Sequence, residues 1–428
     1  MLDIKFIREN PKIIKENIKK KFKQEKLKSL EKLLKLDKEW RKIKLEGDNL
    51  RAERNKISQE INLTKKKKDE KKAKELIKKA SNIPKKISKN EEKANQLDKE
   101  IQKLLSEIPN IIHRSVPLGK DEKENKVIKK AGKIPKFNFP IKNHVELIEN
   151  LNVADFDSSA KTSGTGFYYL KSQLALLNQA LIQFTIDFMK KKGFTYIEPP
   201  LMVKKEIAEA AEDFEAFQNK LYKIQDENLY LIPTAEHAIL GMLKNKTIPE
   251  EELPLKFFGY SMCFRKEIGS HGINEKGLWR THQFNKIEQF IFCKPEETWK
   301  AYEELRKNGE EIFKALGIPY RIYESCSGDL SDWKMKGEDL EAYRPTTKQY
   351  EEVLSLSNCG DYQARDLNIK GITKKGERYV LHTLNNTALA TSRAMVALIE
   401  NNQTKSGSIK IPKCLQKYTG FKEIKPKQ

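Results

Sequence analysis

MCFRKEIGSHGINEKGLWRTHQFNKIE, residues Met262–Glu288, is the stretch around which the rest of the chain can be arranged. Apolar and charged residues alternate through CFRKE and again through HQFNKIEQFIF, the period of a half-buried strand. Gly269, Gly272 and Gly277 lie between the two runs among polar residues, so the pattern predicts two strands joined by a long polar loop. In extended chain Arg265 and Glu267 share a face, and Phe284 and Glu288 share a face of the returning strand. A guanidinium, two carboxylates and an aromatic ring on one surface suit an anionic nucleotide with a flat base, a bound cation and an ammonium group. A surface hairpin with incidental charge pairs has the same composition, and the stretch by itself leaves both readings open.

With 428 residues the chain has room for two or three domains and a large core. A formal charge of +22 points to a polyanionic partner, although lysine is dense in every segment. The N-terminal third is the most basic, with the run Lys65–Lys68. The five cysteines, Cys263, Cys293, Cys326, Cys359 and Cys414, are far apart and form no CxxC, which supports neither a zinc knuckle nor a disulfide framework. A reduced, intracellular setting is the default. MLDIKFIREN lacks the apolar centre of a signal peptide, and no apolar run reaches the length of a membrane span.

Upstream, residues up to about Lys26 read as a strand-like start followed by a short basic helix with Pro11 in its first turn. Leu33, Leu36, Trp40, Ile43, Gly47, Leu50, Arg54, Ile57 and Ile61 then step by three and four, a heptad seam with Gly47 and Arg54 as defects. A second seam runs from Leu76 through Asn90 to Ile108, and TKKKKDEKK lies between the two. The pattern predicts an antiparallel helical hairpin, each arm ~50 Å long, with a kink or restart near Ser81 because Pro84 interrupts the second arm. It serves equally as a basic lever on nucleic-acid phosphates, a dimerisation coiled coil or a spacer. Residues 1–112 form this domain, 113–140 read as a charged linker, and 141–428 as a globular domain. His113 and His144 read as structural.

In the globular part Leu174, Leu177, Leu181, Phe184 and Phe188 predict a helix ended by Gly193, followed by a strand interrupted at Pro199 and Pro200. YLIPTAEHAIL predicts a strand and then a helix capped by Thr234, with Glu236 in its first turn. A helix over Glu296–Leu316 and a strand through RIYESCSGDL follow. EDLEAYRPTTKQYEEVLSLSN predicts a strand pair around Pro345. LHTLNNTALATSRAMVALIENNQ predicts a strand, a turn carrying Asn385 and Thr387, and a helix with Arg393 near its start. An arginine at a helix N-terminus favours phosphate.

Taken together, FRKE…RTHQFNKIE, the GFTYIEPPLMV segment and NNTALATSR resemble motifs 2, 1 and 3 of the class II aminoacyl-tRNA synthetases. TAE ahead of FRKE, LRAERNKISQEI, IPNIIHRSVPLGKDE and SNCGDYQAR narrow the resemblance to seryl-tRNA synthetases over nearly the whole chain. The segment from Gly164 to Phe194 is similar to archaeal-type members, and the zinc-dependent form is disfavoured by the lack of a Cys or His cluster. The resemblance implies an α+β fold: an N-terminal antiparallel helical hairpin beside a catalytic domain with a central antiparallel sheet flanked by helices. It implies ATP-dependent ligation of serine to tRNA(Ser) through seryl-adenylate, in the cytoplasm, and leaves open the serylation of tRNA(Sec). Catalytic roles fall on Arg265, Glu267 and Arg393. ATP contacts fall on these three with Lys266, Thr281, Gln283, Phe284, Glu352, Val353, Leu354 and Ser355, and Glu352 and Ser355 would hold Mg²⁺. The serine pocket falls on Thr234, Ala235, Glu236, Arg265, Glu288, Asn385 and Thr387. The hairpin would bind the tRNA, and the region around Pro200 would form a homodimer interface. A synthetase-like protein that binds tRNA without catalysis is the alternative, and a class II ligase for another amino acid a third. SLSNC departs from a commoner SCSNC-like run, and Cys359 has no expected catalytic role.

Overall fold

The computed structural model describes residues 1–212, 218–267 and 276–426. The tip of the loop predicted within Met262–Glu288, with Gly269 and Gly272, lies outside them. The chain divides into one unit of Leu2–Pro109 and another of Asn110–Gln428 with Met1.

Within the first unit the expected strand-like start is instead a helix, α1 (Ile4–Glu9), capped by the Asp3 side chain. Helix α2 (Pro11–Lys20) follows, with its proline at the first position. The first seam forms a single helix, α3 (Lys26–Lys66), of 41 residues, or ~60 Å of rise. The return is broken as Pro84 predicts: α4 (Glu70–Ala80) ends, and α5 (Ile83–Glu107) restarts with the proline in its first turn, where its missing N–H costs nothing. α3 packs against α4 and α5 along two apolar clusters, Ile57, Leu76 of α4, Ile83 and Ile87 in one and Ile43, Ala94 and Leu97 in the other. Two polar or small seam positions meet between them. A Cβ built on Gly47 would lie 2.6 Å from Asn90 Oδ1.

The second unit is organised by an eight-stranded sheet. Its strands are β1 (Lys126–Ala131), β2 (Thr195–Ile197), β3 (Leu255–Phe264), β4 (Gln283–Cys293), β5 (Tyr320–Glu324), β6 (Lys336–Arg344), β7 (Gln349–Gly360) and β8 (His382–Ala390). Their order is β1-β5-β6-β7-β8-β4-β3-β2, antiparallel except where β2 runs parallel to β3. The residues 113–140 read as a linker are therefore corrected. They carry β1, which pairs with β5 at the sheet edge despite its lysines, because an edge strand keeps one side in water. The strand expected through RIYESCSGDL ends at Glu324.

Period two on β4 sorts the sheet's faces. Ile287, Ile291 and Cys293 point into one apolar cluster with α6 (Ser172–Lys191), α8 (Thr298–Leu316) and α9 (Thr391–Asn401). Phe290 and Phe292, on the opposite face, join a second cluster under α7 (Ala235–Met242). Further along that second face Glu288, Lys286 and Phe284 instead line an open cleft. Among the described residues no helix is long and apolar enough to cross a membrane.

Candidate active site

The floor of the cleft is the face of β4 that carries Phe284, Lys286 and Glu288. Opposite Glu288 stand Gly259 of β3 on one side and Thr387 of β8 on the other. Gly259 is what lets α7 sit close. A Cβ there would come 3.0 Å from Ile239 Cδ1 and 3.1 Å from Ala235 Cβ. The N-terminus of α7 is thereby held over the sheet, and Thr234, its N-cap, accepts from the Glu236 N–H as predicted.

Three donors converge on one oxygen of Glu288. Its Oε2 accepts from Thr234 Oγ1 at 3.3 Å and Thr387 Oγ1 at 3.4 Å, and Lys286 Nζ lies 2.5 Å away. Glu236 accepts from Gln363 and Asn385, each at 2.9 Å. Burial, and then the charge of Glu288 beside it, push the Glu236 carboxyl above its ordinary range. Two carboxylates so arranged favour a positive ligand.

At the other end Arg265 and Glu267 lie beyond the end of β3, not on one strand face as the alternation suggests. Arg265 donates to Pro233 O at 3.3 Å, and its guanidinium stands 5.3 Å from the Phe284 ring centre. Glu267 adopts a φ of 50°, outside the strand region, and pairs with Arg280 at 3.2 Å. Arg393, in the first turn of α9, donates to Glu352 O at 2.7 Å and lies 5.4 Å from the Trp279 ring centre.

Spacing three would put Glu352 and Ser355 on opposite faces of a regular strand. A bulge in β7, with Val353 unpaired between Glu352 and Leu354, turns both toward the cleft. A matching bulge at Ala388 brings Thr387 and Ala390 to the same face of β8. Ser355 Oγ accepts from Lys334 Nζ at 3.1 Å. Opposite Ser355 on β6, Asp339 is pushed up to about 6, by burial first and then by the charge of Glu352. The carboxylate and hydroxyl of Glu352 and Ser355 are hard oxygen donors of the kind Mg²⁺ takes alongside phosphate. Among the described residues no group of three or more His, Cys, Asp or Glu is arranged to hold a metal.

Of the residues expected from the sequence, Thr234, Glu236, Arg265, Glu267, Thr281, Phe284, Glu288, Glu352, Val353, Ser355, Asn385, Thr387 and Arg393 line this cleft. Asn385 and Thr387 do so from strand β8 and not from a turn, because the small-residue run after them continues the strand. Ala235, Lys266, Gln283 and Leu354 do not line it. Ala235, the first residue of α7, packs down into the second apolar cluster, and Lys266 lies over the Tyr222 ring. Gln283 alternates with Phe284 and turns its amide to Met262 Sδ, and Leu354 is core. Lys286, Trp279, Arg280 and Gln363 are site residues that the sequence reading missed. Lys286 was visible, since it falls midway between Phe284 and Glu288 at period two. Buried Cys359 has its thiol pushed up by that burial, which makes it a poor nucleophile.

An antiparallel sheet with an Arg-over-Phe platform at one end of a cleft and an Arg at a helix start beside it defines the class II aminoacyl-tRNA synthetase core. Residues 220–402 match the family model described as tRNA synthetase class II core domain (G, H, P, S and T). Residues 1–112 match the seryl-tRNA synthetase N-terminal domain. The chain is 47% identical over 319 residues to the serine–tRNA ligase of Methanospirillum hungatei, covering 74% of this chain and 75% of that one. To the Pyrococcus horikoshii serine–tRNA ligase it is 47% identical over 341 residues, with the same coverage. The crystal structure of the P. horikoshii seryl-tRNA synthetase complexed with ATP superposes with a TM-score of 0.94, at 44% identity over 100% of both chains. That of the cytoplasmic enzyme from Naegleria fowleri in complex with AMP gives 0.88 at 33% identity, over 100% of this chain and 99% of that one. The chain belongs to the seryl-tRNA synthetase family.

Proposed function

We propose that the protein is a serine–tRNA ligase: it activates L-serine with ATP and transfers the seryl group to tRNA(Ser). In the first step a serine carboxylate oxygen attacks the α-phosphorus of ATP, and the bond to pyrophosphate breaks. In the second, a terminal ribose hydroxyl of the tRNA attacks the seryl carbonyl and AMP leaves. Little covalent chemistry is required of the protein in the first step, so positioning and charge compensation carry it. The observation that supports serine most directly is Glu288, buried between the hydroxyls of Thr234 and Thr387 at the closed end of the cleft.

In this reading Phe284 stacks on the adenine, with Arg393 at its other face or at the γ-phosphate. Arg265 spans the serine carboxylate and the α-phosphate, and Glu267 takes the adenine amino group. Glu236 and Glu288 face the ammonium, and Glu288 with Thr387 takes the hydroxyl. A pocket whose buried polar groups need a substrate hydroxyl rejects alanine by ~10⁴-fold or more, whereas threonine is excluded by size alone, worth ~10–200-fold. Glu352 and Ser355 would hold Mg²⁺, which supplies positive charge to the phosphates when bound. The basic hairpin grips duplex RNA by backbone shape, with Arg51, Arg54, Lys56 and the lysines near its tip as contacts. The region around Pro200 forms a homodimer interface, a reading supported by exposed Leu201 and Met202 just after edge strand β2. The cytoplasm is the setting.

Serine-dependent ATP–pyrophosphate exchange tests the reading. Exchange with serine and not with threonine, proline or alanine is expected. Absence of exchange by folded protein would favour a tRNA-binding protein without catalysis. Arg265→Ala should abolish exchange and leave tRNA affinity within about twofold.

A further inference from the structure

Lys286 is buried, as few lysines are, with 9% of its side chain exposed beside a Glu288 that is 1% exposed. It lies between Phe284 and Glu288 on the cleft face of β4, opposite Ser261 on one side and Ala390 on the other. Neither neighbour offers a second carboxylate, and its ion pair is with Glu288 Oε2 at 2.5 Å. The Thr234 and Thr387 hydroxyls reach the same oxygen. All three contacts fall on Oε2, and none of the hydrogen bonds described above uses Oε1.

We propose that Lys286 is a positioning residue for serine selection. It saturates Oε2 with Thr234 and Thr387 and so presents Oε1 as an acceptor to the amino acid. This rests on the serine–tRNA ligase reading. Two consequences follow from charge and geometry. Glu236 and Glu288 together carry two negative charges facing one substrate ammonium, and Lys286 balances the second. Because Oε2 is already filled, the carboxylate cannot swing to satisfy itself on its own neighbours. An amino acid that brings no hydroxyl therefore leaves Oε1 with the ammonium alone and without its second donor, and that lost contact is the source of the discrimination against alanine.

The test is ATP–pyrophosphate exchange by the full chain, wild type against Lys286→Met, Lys286→Gln and Lys286→Arg, with serine and ATP varied separately. Wild-type protein that shows no serine-dependent exchange refutes the ligase reading itself. With active wild type, the expected result for Met and Gln is a serine KM raised about tenfold or more and a serine-over-alanine preference reduced about tenfold. The ATP KM should stay within about twofold, and Arg should restore the serine KM to within about threefold. An unchanged serine KM in a folded Met or Gln variant overturns the proposal. So does a parallel rise in the KM of ATP, or an Arg variant no better than Gln. If neither neutral variant folds, the Arg variant decides: a serine KM beyond about threefold of wild type refutes the proposal.

Discussion

Gly259→Ala is a single added methyl on the sheet surface beside Glu288, beneath α7. Its Cβ would arrive 3.0 Å from Ile239 Cδ1 and 3.1 Å from Ala235 Cβ. Carbon atoms prefer about 3.5–4.0 Å, so roughly 0.5 Å must be found. Ile239 can yield by rotating its terminal methyl. Ala235 cannot, because its Cβ is fixed to the first residue of α7, and the displacement passes to Thr234 next to it. The Thr234–Glu288 hydrogen bond is already 3.3 Å long, so a further ~0.5 Å takes it beyond hydrogen-bonding range. A hydrogen bond to a charged group is worth ~1.5–3 kcal/mol, or about 10–100-fold. Partial relaxation puts the expected loss in serine kcat/KM near tenfold, measured by pyrophosphate exchange, with ATP KM within about twofold. Overpacking should also cost ~1–3 kcal/mol, a few degrees of melting temperature. A variant that melts lower but keeps serine kcat/KM within about twofold would refute the claim that Gly259 sets the height of α7 over Glu288.

Deleting Leu33–Leu104 and bridging the ends should spare serine-dependent exchange and sharply reduce tRNA charging; equal charging by the shortened protein removes the hairpin from recognition. Gly47→Leu should destabilise the hairpin by ~1–3 kcal/mol through its clash with Asn90, while exchange stays within about twofold; circular dichroism and exchange kinetics together check this. Burial opposes ionisation of Glu400, but hydrogen bonds from His144, Arg344 and Thr346 hold it down to about 2 from 4.5, a difference worth ~3 kcal/mol. A carboxyl with a lowered folded-state pKa stabilises fully above about 4.5, and that share is lost as the pH falls toward about 2. Denaturant unfolding from pH 6 to pH 2 should show this loss in wild type, and Glu400→Gln, though less stable at pH 6, should have a flatter profile; parallel profiles would contradict it.

The elements with the longest periodic patterns were the easiest to read. The seams of α3 and α5, the break at Pro84 and the strand pair around Pro345 follow from spacing and proline chemistry alone. The failures are local. Asp3 caps a helix where a strand-like start was expected, because one side-chain acceptor outweighs a short apolar run. The linker reading failed because β1 sits at a sheet edge, where lysines are tolerated on the wet side. Motif position alone puts Lys266 and Gln283 with the nucleotide, yet Gln283 alternates away from the cleft and Lys266, past the end of β3, turns onto the Tyr222 ring. The bulges at Val353 and Ala388 were not legible, because a register shift is set by the partner strand and not by the residues it displaces. Gly259 left no mark at all: its role exists only once α7 is packed above it.

The Gly47–Asn90 pair divides the hairpin into a segment near the tip and a segment near the base, each with its own apolar cluster. Separate clusters rupture separately, so opening the outer one costs only its own contacts. Amide protons around Ile57 and Ile87 should therefore exchange with solvent sooner than those around Ile43 and Leu97. A limb that yields at its far end while its root stays wound can bend at the tip without transmitting the strain inward.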